Sequence, residues 1–287
     1  MSRTPRVFRR AAALRAALGR PRGGLGLVPT MGALHAGHLS LVRRALRQHS
    51  RVLVSIFVNP TQFGPDEDYA RYPRNLAEDL TQLGPLDGVW VYAPATSDVY
   101  PPGFASRVTV GGSLSQGLEG AWRPGHFDGV ATVVARLFRL LTPGAAYFGL
   151  KDYQQFQVVR RMTTDLGLGV RLVGCPTVRE PDGLALSSRN RYLSPAQRQR
   201  ASALIRALRA SRALAERGER RGSALEAAGR VVLGRERGLR VQYFRLVDAG
   251  TLAPLELLDR PARLLTACRL GRTRLIDNIG LSGGGLR

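Results

Sequence analysis

Two histidines three residues apart, His35 and His38, close the segment Pro29-Thr-Met-Gly-Ala-Leu-His-Ala-Gly-His38, directly after the apolar run Leu25-Gly26-Leu27-Val28. The pattern predicts a strand, a tight turn and a helix whose first turn carries both imidazoles. A helix N-terminus presents unbonded backbone N–H groups and partial positive charge, and so attracts phosphate. Imidazoles at this spacing share a helix face and reach one anion. Gly37 leaves no side chain between them, so a flat base can pack on the backbone there. The chemistry this suggests is attack on a nucleotide α-phosphate with pyrophosphate leaving.

Three further clusters add groups of the right kind. In Phe57-Val-Asn-Pro-Thr-Gln-Phe63 a strand breaks at Pro60, which cannot donate to a ladder. Asn59 and Gln62 then sit at the strand's carboxyl end, and their amides suit a hydroxyl-bearing polar substrate. Phe148-Gly-Leu-Lys-Asp-Tyr-Gln-Gln155 holds Lys151, the one lysine in a chain with 42 arginines. Where arginine fills nearly every cationic position, a retained lysine points to point-charge work on a phosphate. Asp152 is placed to cap the following helix or touch a ribose, with Gln155 one turn in. Finally, Leu186-Ser-Ser-Arg189 sets two hydroxyls and a guanidinium just past a turn, apt for pyrophosphate.

The elements that position these groups follow from periodicity. Strands are expected at Leu25–Pro29, Arg51–Val58, Val89–Ala93, Ala145–Phe148 and Val170–Val173. Helices are expected at Arg9–Leu18, His38–Gln48, Leu76–Leu83, Gly129–Leu141 and Tyr153–Leu166. This alternation argues for an α/β fold, a Rossmann-like parallel sheet over residues 1–176. Its ligands belong outside the strands' carboxyl ends, where these clusters fall. A smaller α+β domain is expected over residues 177–287. It opens with the turn Glu180-Pro-Asp-Gly183 and carries the Ser-Ser-Arg loop. Ser194-Pro-Ala-Gln197 reads as a capping box, and Ala201, Leu204, Ile205 and Leu208 continue its helix. Runs at Arg240–Val247, Ala262–Cys268 and Thr273–Ile279 suggest a small antiparallel sheet beneath the helices.

Length and composition, 287 residues with 44% apolar, fit a globular protein with a sizeable core. No apolar run is long enough for a membrane span, and the start Met-Ser-Arg-Thr-Pro-Arg has no apolar stretch behind it to make a secretory leader. Cys175 and Cys268 give neither metal spacing nor a disulfide framework, in keeping with a reducing cytoplasm. The net charge of +22 raises nucleic-acid binding as a reading. Twelve arginines lie between Arg198 and Arg240, but no stacking aromatics interleave them, so a solvated helical face is the simpler expectation.

The His-x-Gly-His segment resembles that of nucleotidyltransferases and class I aminoacyl-tRNA synthetases, and Ser187-Ser-Arg189 resembles the loop that partners it. Taken with Asn59-Pro-Thr-Gln-Phe63, Arg123-Pro-Gly-His-Phe127, Lys151-Asp-Tyr-Gln-Gln155, Ser187-Ser-Arg-Asn190 and Leu275-Ile-Asp-Asn278, the chain resembles the pantoate–β-alanine ligase family over nearly its full length. The resemblance implies ATP-dependent condensation of pantoate with β-alanine to pantothenate, AMP and pyrophosphate, through a pantoyl-adenylate. It puts Met31, Gly32, Ala33, Leu34, His35, Ala36, Gly37 and His38 around ATP, with His38 as proton donor. Gly149, Leu150, Lys151, Asp152, the backbone of Val178, Leu186, Ser187, Ser188 and Arg189 would complete that site. Gln62 would meet pantoate and β-alanine, and Gln155 pantoate; Asn59 joins them on the amide chemistry above. His35, His38, Lys151 and Arg189, with Mg²⁺, could supply the charge stabilisation that adenylation needs. A cytoplasmic homodimer binding neither nucleic acid nor membrane is implied.

Two positions depart from the family pattern: Leu150 where an acidic or polar residue is usual, and Leu186 where methionine is. A related adenylyltransferase with a phosphopantetheine-like acceptor is disfavoured by paired amides in place of further cations. An RNA-binding protein exploiting the positive charge is the remaining alternative.

Overall fold

In the computed structural model, which describes residues 4–19, 24–65 and 67–282, the apolar runs ahead of Pro176 become six parallel strands. They are β1 (Arg6–Phe8), β2 (Leu25–Thr30), β3 (Arg51–Ile56), β4 (Val89–Tyr92), β5 (Ala145–Gly149) and β6 (Arg171–Cys175), in spatial order β1-β4-β3-β2-β5-β6. Helices α1 (Ala11–Leu18), α2 (Ala36–Leu46), α3 (Leu76–Leu83), α4 (His126–Leu141) and α5 (Tyr153–Asp165) link them. Alternation along the strands assigns the two faces. Leu25, Leu27 and Leu53 pack with Leu14, Phe138 and Met162 of α1, α4 and α5. Val28, Val52 and Val54 pack with Val42 and Leu83 of α2 and α3. A sheet covered on both sides has no polar face, which is why β2 and β3 read as continuous apolar runs.

This is the expected Rossmann-like sheet, with β1 added at its edge. Strand order reverses between β2 and β5, which are neighbours through Gly26 and Leu27 opposite Ala145 and Ala146. In open parallel sheets that switch point is where ligands bind, beyond the strands' carboxyl ends. β2 runs there into Met31–His38, and β5 into Leu150.

The chain divides into two compact units, the first holding this sheet. The second takes Thr177 onward together with Gly117–Glu119 and Lys151–Gln154. In it β7 (Leu239–Asp248), β8 (Ala262–Leu270) and β9 (Thr273–Leu281) form the antiparallel sheet, with α6 (Pro195–Ala201), α7 (Ala203–Glu216) and α8 (Gly222–Gly234). Its core joins Leu204, Ile205 and Leu208 to Phe244, Leu246 and Leu264. Ser194 and Gln197 form the capping box in both directions. The one helix expected after it is two, because Ser202 interrupts it and its hydroxyl donates back to the Gln199 carbonyl at 2.9 Å. The carbonyl taken by a side chain replaces a ladder bond of the helix.

Four of the twelve arginines between Arg198 and Arg240 pair with acids: Arg198, Arg206, Arg212 and Arg221 with Asp182, Glu236, Glu216 and Glu219. Among the described residues no helix is long and apolar enough to cross a membrane. Met1–Arg3 of the basic start and the final Gly283-Gly-Gly285 lie outside the described residues.

Candidate active site

The turn between β2 and α2 is held from inside by a residue far away in sequence. Asp79 of α3, buried, accepts the Leu34 N–H at 2.7 Å and the Ala33 N–H at 3.2 Å. Gln82 donates to the Leu34 carbonyl at 3.0 Å, and Thr30 Oγ accepts the Gly32 N–H. Gly32 and Ala33 take positive φ of 82° and 49°, and a Cβ on Gly32 would stand 2.9 Å from the Asp79 carboxylate. The turn is thus tight enough to demand glycine at that position. Residues 31–34 therefore enter α2 on a fixed path.

His35 is the N-cap of α2, and its Nδ1 accepts the Gly37 N–H at 3.1 Å. An accepting Nδ1 leaves the proton of the neutral ring on Nε2. The ring of His38 lies 4.1 Å from that of His35, tilted by 37°. The two imidazoles are brought together at the helix start, as their spacing predicts.

Gln62 belongs to the same cluster. Its Nε2 lies 3.0 Å from Met31 Sδ, and its Oε1 accepts from Asn59 Nδ2 at 3.0 Å. Asn59, 1% exposed, spends its second N–H on the Gly129 carbonyl, while its Oδ1 accepts from Thr61 and from the Tyr100 hydroxyl at 2.9 Å. Burial pushes the Tyr100 phenol above its ordinary value, so it is a neutral donor there. With every group of its amide engaged, Asn59 positions Gln62.

Sequence reasoning missed the network under Gln62. Arg123 grips Glu67 with two bonds of 2.6 Å and donates to His126 Nε2 at 3.0 Å, while His126 Nδ1 lies 2.8 Å from the Gln62 carbonyl. Guanidinium only donates and a carbonyl only accepts, so Nδ1 carries the proton and Nε2 does not. Nitrogen NMR of the imidazole is expected to show that Nδ1–H tautomer at neutral pH; a proton on Nε2 would mean that the ring is turned over. The signal for this network was the Arg123-Pro-Gly-His-Phe127 motif, which carries no chemistry until the helix places it.

Beyond β5, Leu150 of the turn Leu150–Asp152 lies over Gly174 of β6, where a Cβ would stand 2.7 Å from its Cδ2. The unusual leucine is thus spent on packing. Gln155 is half-buried on α5, while its neighbour Gln154 is buried and bonded to Glu119 N–H and the Gly117 carbonyl.

The second unit carries the other phosphate candidates. Lys151 Nζ stands 3.7 Å from Asp152 Oδ1. The Asn278 amide donates to the Lys151 carbonyl at 2.8 Å. The turn Glu180–Gly183 forms as expected, with Leu186 N–H bonded to the Val178 carbonyl at 3.0 Å. Ser187 Oγ then caps the turn Ser188–Tyr192 by accepting the Arg189 N–H. Asp277 accepts both Arg179 donors, at 2.7 and 2.9 Å, which anchors the hairpin ahead of that loop.

The sequence model described as Pantoate-beta-alanine ligase matches residues 6–280. The pantothenate synthetase of Roseiflexus sp. strain RS-1 is 53% identical over 273 residues, 95% of this chain and 98% of its own. That of Thermus thermophilus is 54% identical over 276 residues, covering 96% and 98%. A crystal structure of the Thermus thermophilus protein superposes with a TM-score of 0.92 at 53% identity, covering 96% of this chain and 98% of that one. The pantoate-beta-alanine ligase of Francisella tularensis, solved with "Beta-gamma ATP and Beta-alanine", has a TM-score of 0.79 at 34% identity, covering 96% and 97%.

Proposed function

The chain belongs to the pantoate-beta-alanine ligase family, and we infer that it condenses pantoate with β-alanine at the expense of ATP, releasing AMP and pyrophosphate. The observation that carries the chemistry is the close His35–His38 pair at the start of α2, with Gln62 against Met31 of the turn that leads into that helix. In the first step a carboxylate oxygen of pantoate attacks the α-phosphorus and pyrophosphate leaves. In the second the amine of β-alanine attacks the acyl carbon, loses its proton and expels AMP.

A carboxylate is already a nucleophile, so adenylation asks for charge stabilisation rather than a base. We assign that work to His35, His38, Lys151 and Arg189, with His38 donating a proton. Residues 31–38, Gly149–Asp152 and Leu186–Arg189 contact ATP in this reading. The backbone of Val178, whose carbonyl accepts the Leu186 N–H, contacts ATP as well in this reading. Gln62 meets pantoate and β-alanine, Gln155 meets pantoate, and Asn59 holds Gln62. Residues 1–176, apart from Gly117–Glu119 and Lys151–Gln154, which fall in the second unit, are the nucleotide- and pantoate-binding domain in this reading, and residues 177–287 the domain that carries the Ser-Ser-Arg loop.

Mg²⁺ is expected to arrive on the nucleotide phosphates. Among the described residues no group of three His, Cys, Asp or Glu side chains gathers to hold a metal, and Mg²⁺ commonly binds through phosphates and water. We also propose that the protein acts in the cytoplasm as a homodimer.

With pantoate present and β-alanine withheld, labelled pyrophosphate is expected to exchange into ATP. Exchange supported by a different acid and not by pantoate would overturn the substrate assignment.

A further inference from the structure

Lysine reaches its target on a flexible four-carbon stem, so the backbone at its root decides where the ammonium can go. At Lys151 that root is the short 3₁₀ turn Leu150–Asp152, which leads directly into α5. β9 adds a restraint on it. Asn278, 4% exposed, donates its amide N–H to the Lys151 carbonyl at 2.8 Å. Its Oδ1 accepts from Arg263 Nη1 of β8. Arg263 in turn lies 3.7 Å over the ring of Tyr153, two residues beyond Lys151, and the Tyr153 hydroxyl bonds the Ala249 carbonyl at 2.7 Å. The turn carrying the lysine is therefore clasped on both sides by one strand pair.

We propose that Asn278 is a positioning residue for Lys151: it fixes the lysine's main chain, and the Arg263 guanidinium on its oxygen sharpens the amide as a donor. The relay needs one group that accepts from a cation and donates to a carbonyl, which an amide does and a carboxylate does not. Bonds in series polarise one another, so a cation at the head strengthens the last bond. The preceding residue, Asp277, anchors the Arg179 hairpin ahead of Ser187–Arg189. Two successive positions of β9 thus hold the Lys151 turn and the hairpin ahead of Ser187–Arg189. The proposal rests on the reading of Lys151 as a phosphate contact.

Asn278→Asp keeps the acceptor for Arg263 and removes the donor for Lys151, at nearly constant volume. Pyrophosphate exchange and thermal midpoints are to be measured for wild type, K151A, N278D and the double variant. N278D is expected to lower the exchange rate constant roughly 10- to 100-fold, the scale of a small misplacement of a reacting group. In the K151A background the same change should cost less than about twofold, because its effect passes through the lysine. A loss of equal factor in both backgrounds, or N278D within about twofold of wild type, overturns the proposal. Wild-type exchange by K151A instead overturns the reading of Lys151 and this one with it. If N278D does not fold, R263Q takes its place in the cycle; loss of folding in both makes the pair a structural staple and also overturns it.

Discussion

Replacing Lys151 by alanine is expected to slow pantoate-dependent pyrophosphate exchange roughly 100- to 1000-fold, about 3–4 kcal/mol of barrier, the usual cost of deleting one preorganised contact to transition-state charge. The α-phosphorus gains negative charge on its oxygens as pantoate attacks, and the ammonium is a compact, strongly hydrated charge suited to meeting it. Its own partner does not compete strongly: Asp152 Oδ1 is 3.7 Å away and half-exposed, a pair of little net worth. Folding should therefore be nearly untouched, and the thermal midpoint of K151A should match wild type. Lys151→Arg is expected to recover little, since a planar guanidinium on a longer reach presents its donors differently. In a chain with 42 arginines that failure would explain why this position kept its lysine. Exchange by K151A within a few-fold of wild type would make the lone lysine incidental.

The fold was legible where burial on both faces left the strands few polar residues. Leu25–Val28 and Arg51–Ile56 announced themselves because helices cover both sides of the sheet. β1 did not, since three residues carry no period, and Arg6–Phe8 is a strand only by pairing with Trp90–Tyr92 of β4. The break at Ser202 was equally silent. Its backbone stays helical at φ −63° and ψ −11°, so Ala201, Leu204, Ile205 and Leu208 keep one apolar stripe through the interruption.

The groups assigned to phosphate were legible for a different reason. Histidine, lysine and paired serines at the ends of strands have few structural uses, so type and place together suggested chemistry. Their supports were not legible. Asp79 sits in the first turn of α3, where an acidic residue is favoured by the helix dipole alone, and it reaches back 46 residues to the Ala33 N–H. Glu67, Arg123 and His126 come from a loop and a helix start, and only tertiary packing brings them under Gln62. Asn59 shows the same limit: its type and place suggested an amide for substrate, and gave no sign that it bonds Gln62, Gly129, Thr61 and Tyr100.

The packing that sets Gln62 can be disturbed by a single methyl group. Gly129 lies in the first turn of α4, where a Cβ would stand 2.3 Å from the Thr61 carbonyl oxygen, 2.5 Å from its carbon and 2.7 Å from Gln62 Cα. All three are backbone atoms, so no rotamer change relieves the overlap; the helix and the turn Pro60–Gln62 must move apart. The separation also stretches the bond from Asn59 to the Gly129 carbonyl, now 3.1 Å. Gly129→Ala is expected to cost about 2–3 kcal/mol of stability, as overpacking of a tight contact does. For a chain of this size that lowers the thermal midpoint by roughly 4–12 °C. Because Gln62 shifts with its backbone, the KM for pantoate should rise at least about tenfold even where the protein is fully folded. Gly234→Ala is the matched control. It lies at the exposed end of α8 with nothing within 4 Å of its would-be Cβ, and alanine is the better helix former, so the midpoint should hold or rise slightly. If Gly129→Ala kept both its midpoint and its pantoate KM, the close approach of α4 to the Gln62 turn would not be what sets the substrate amide.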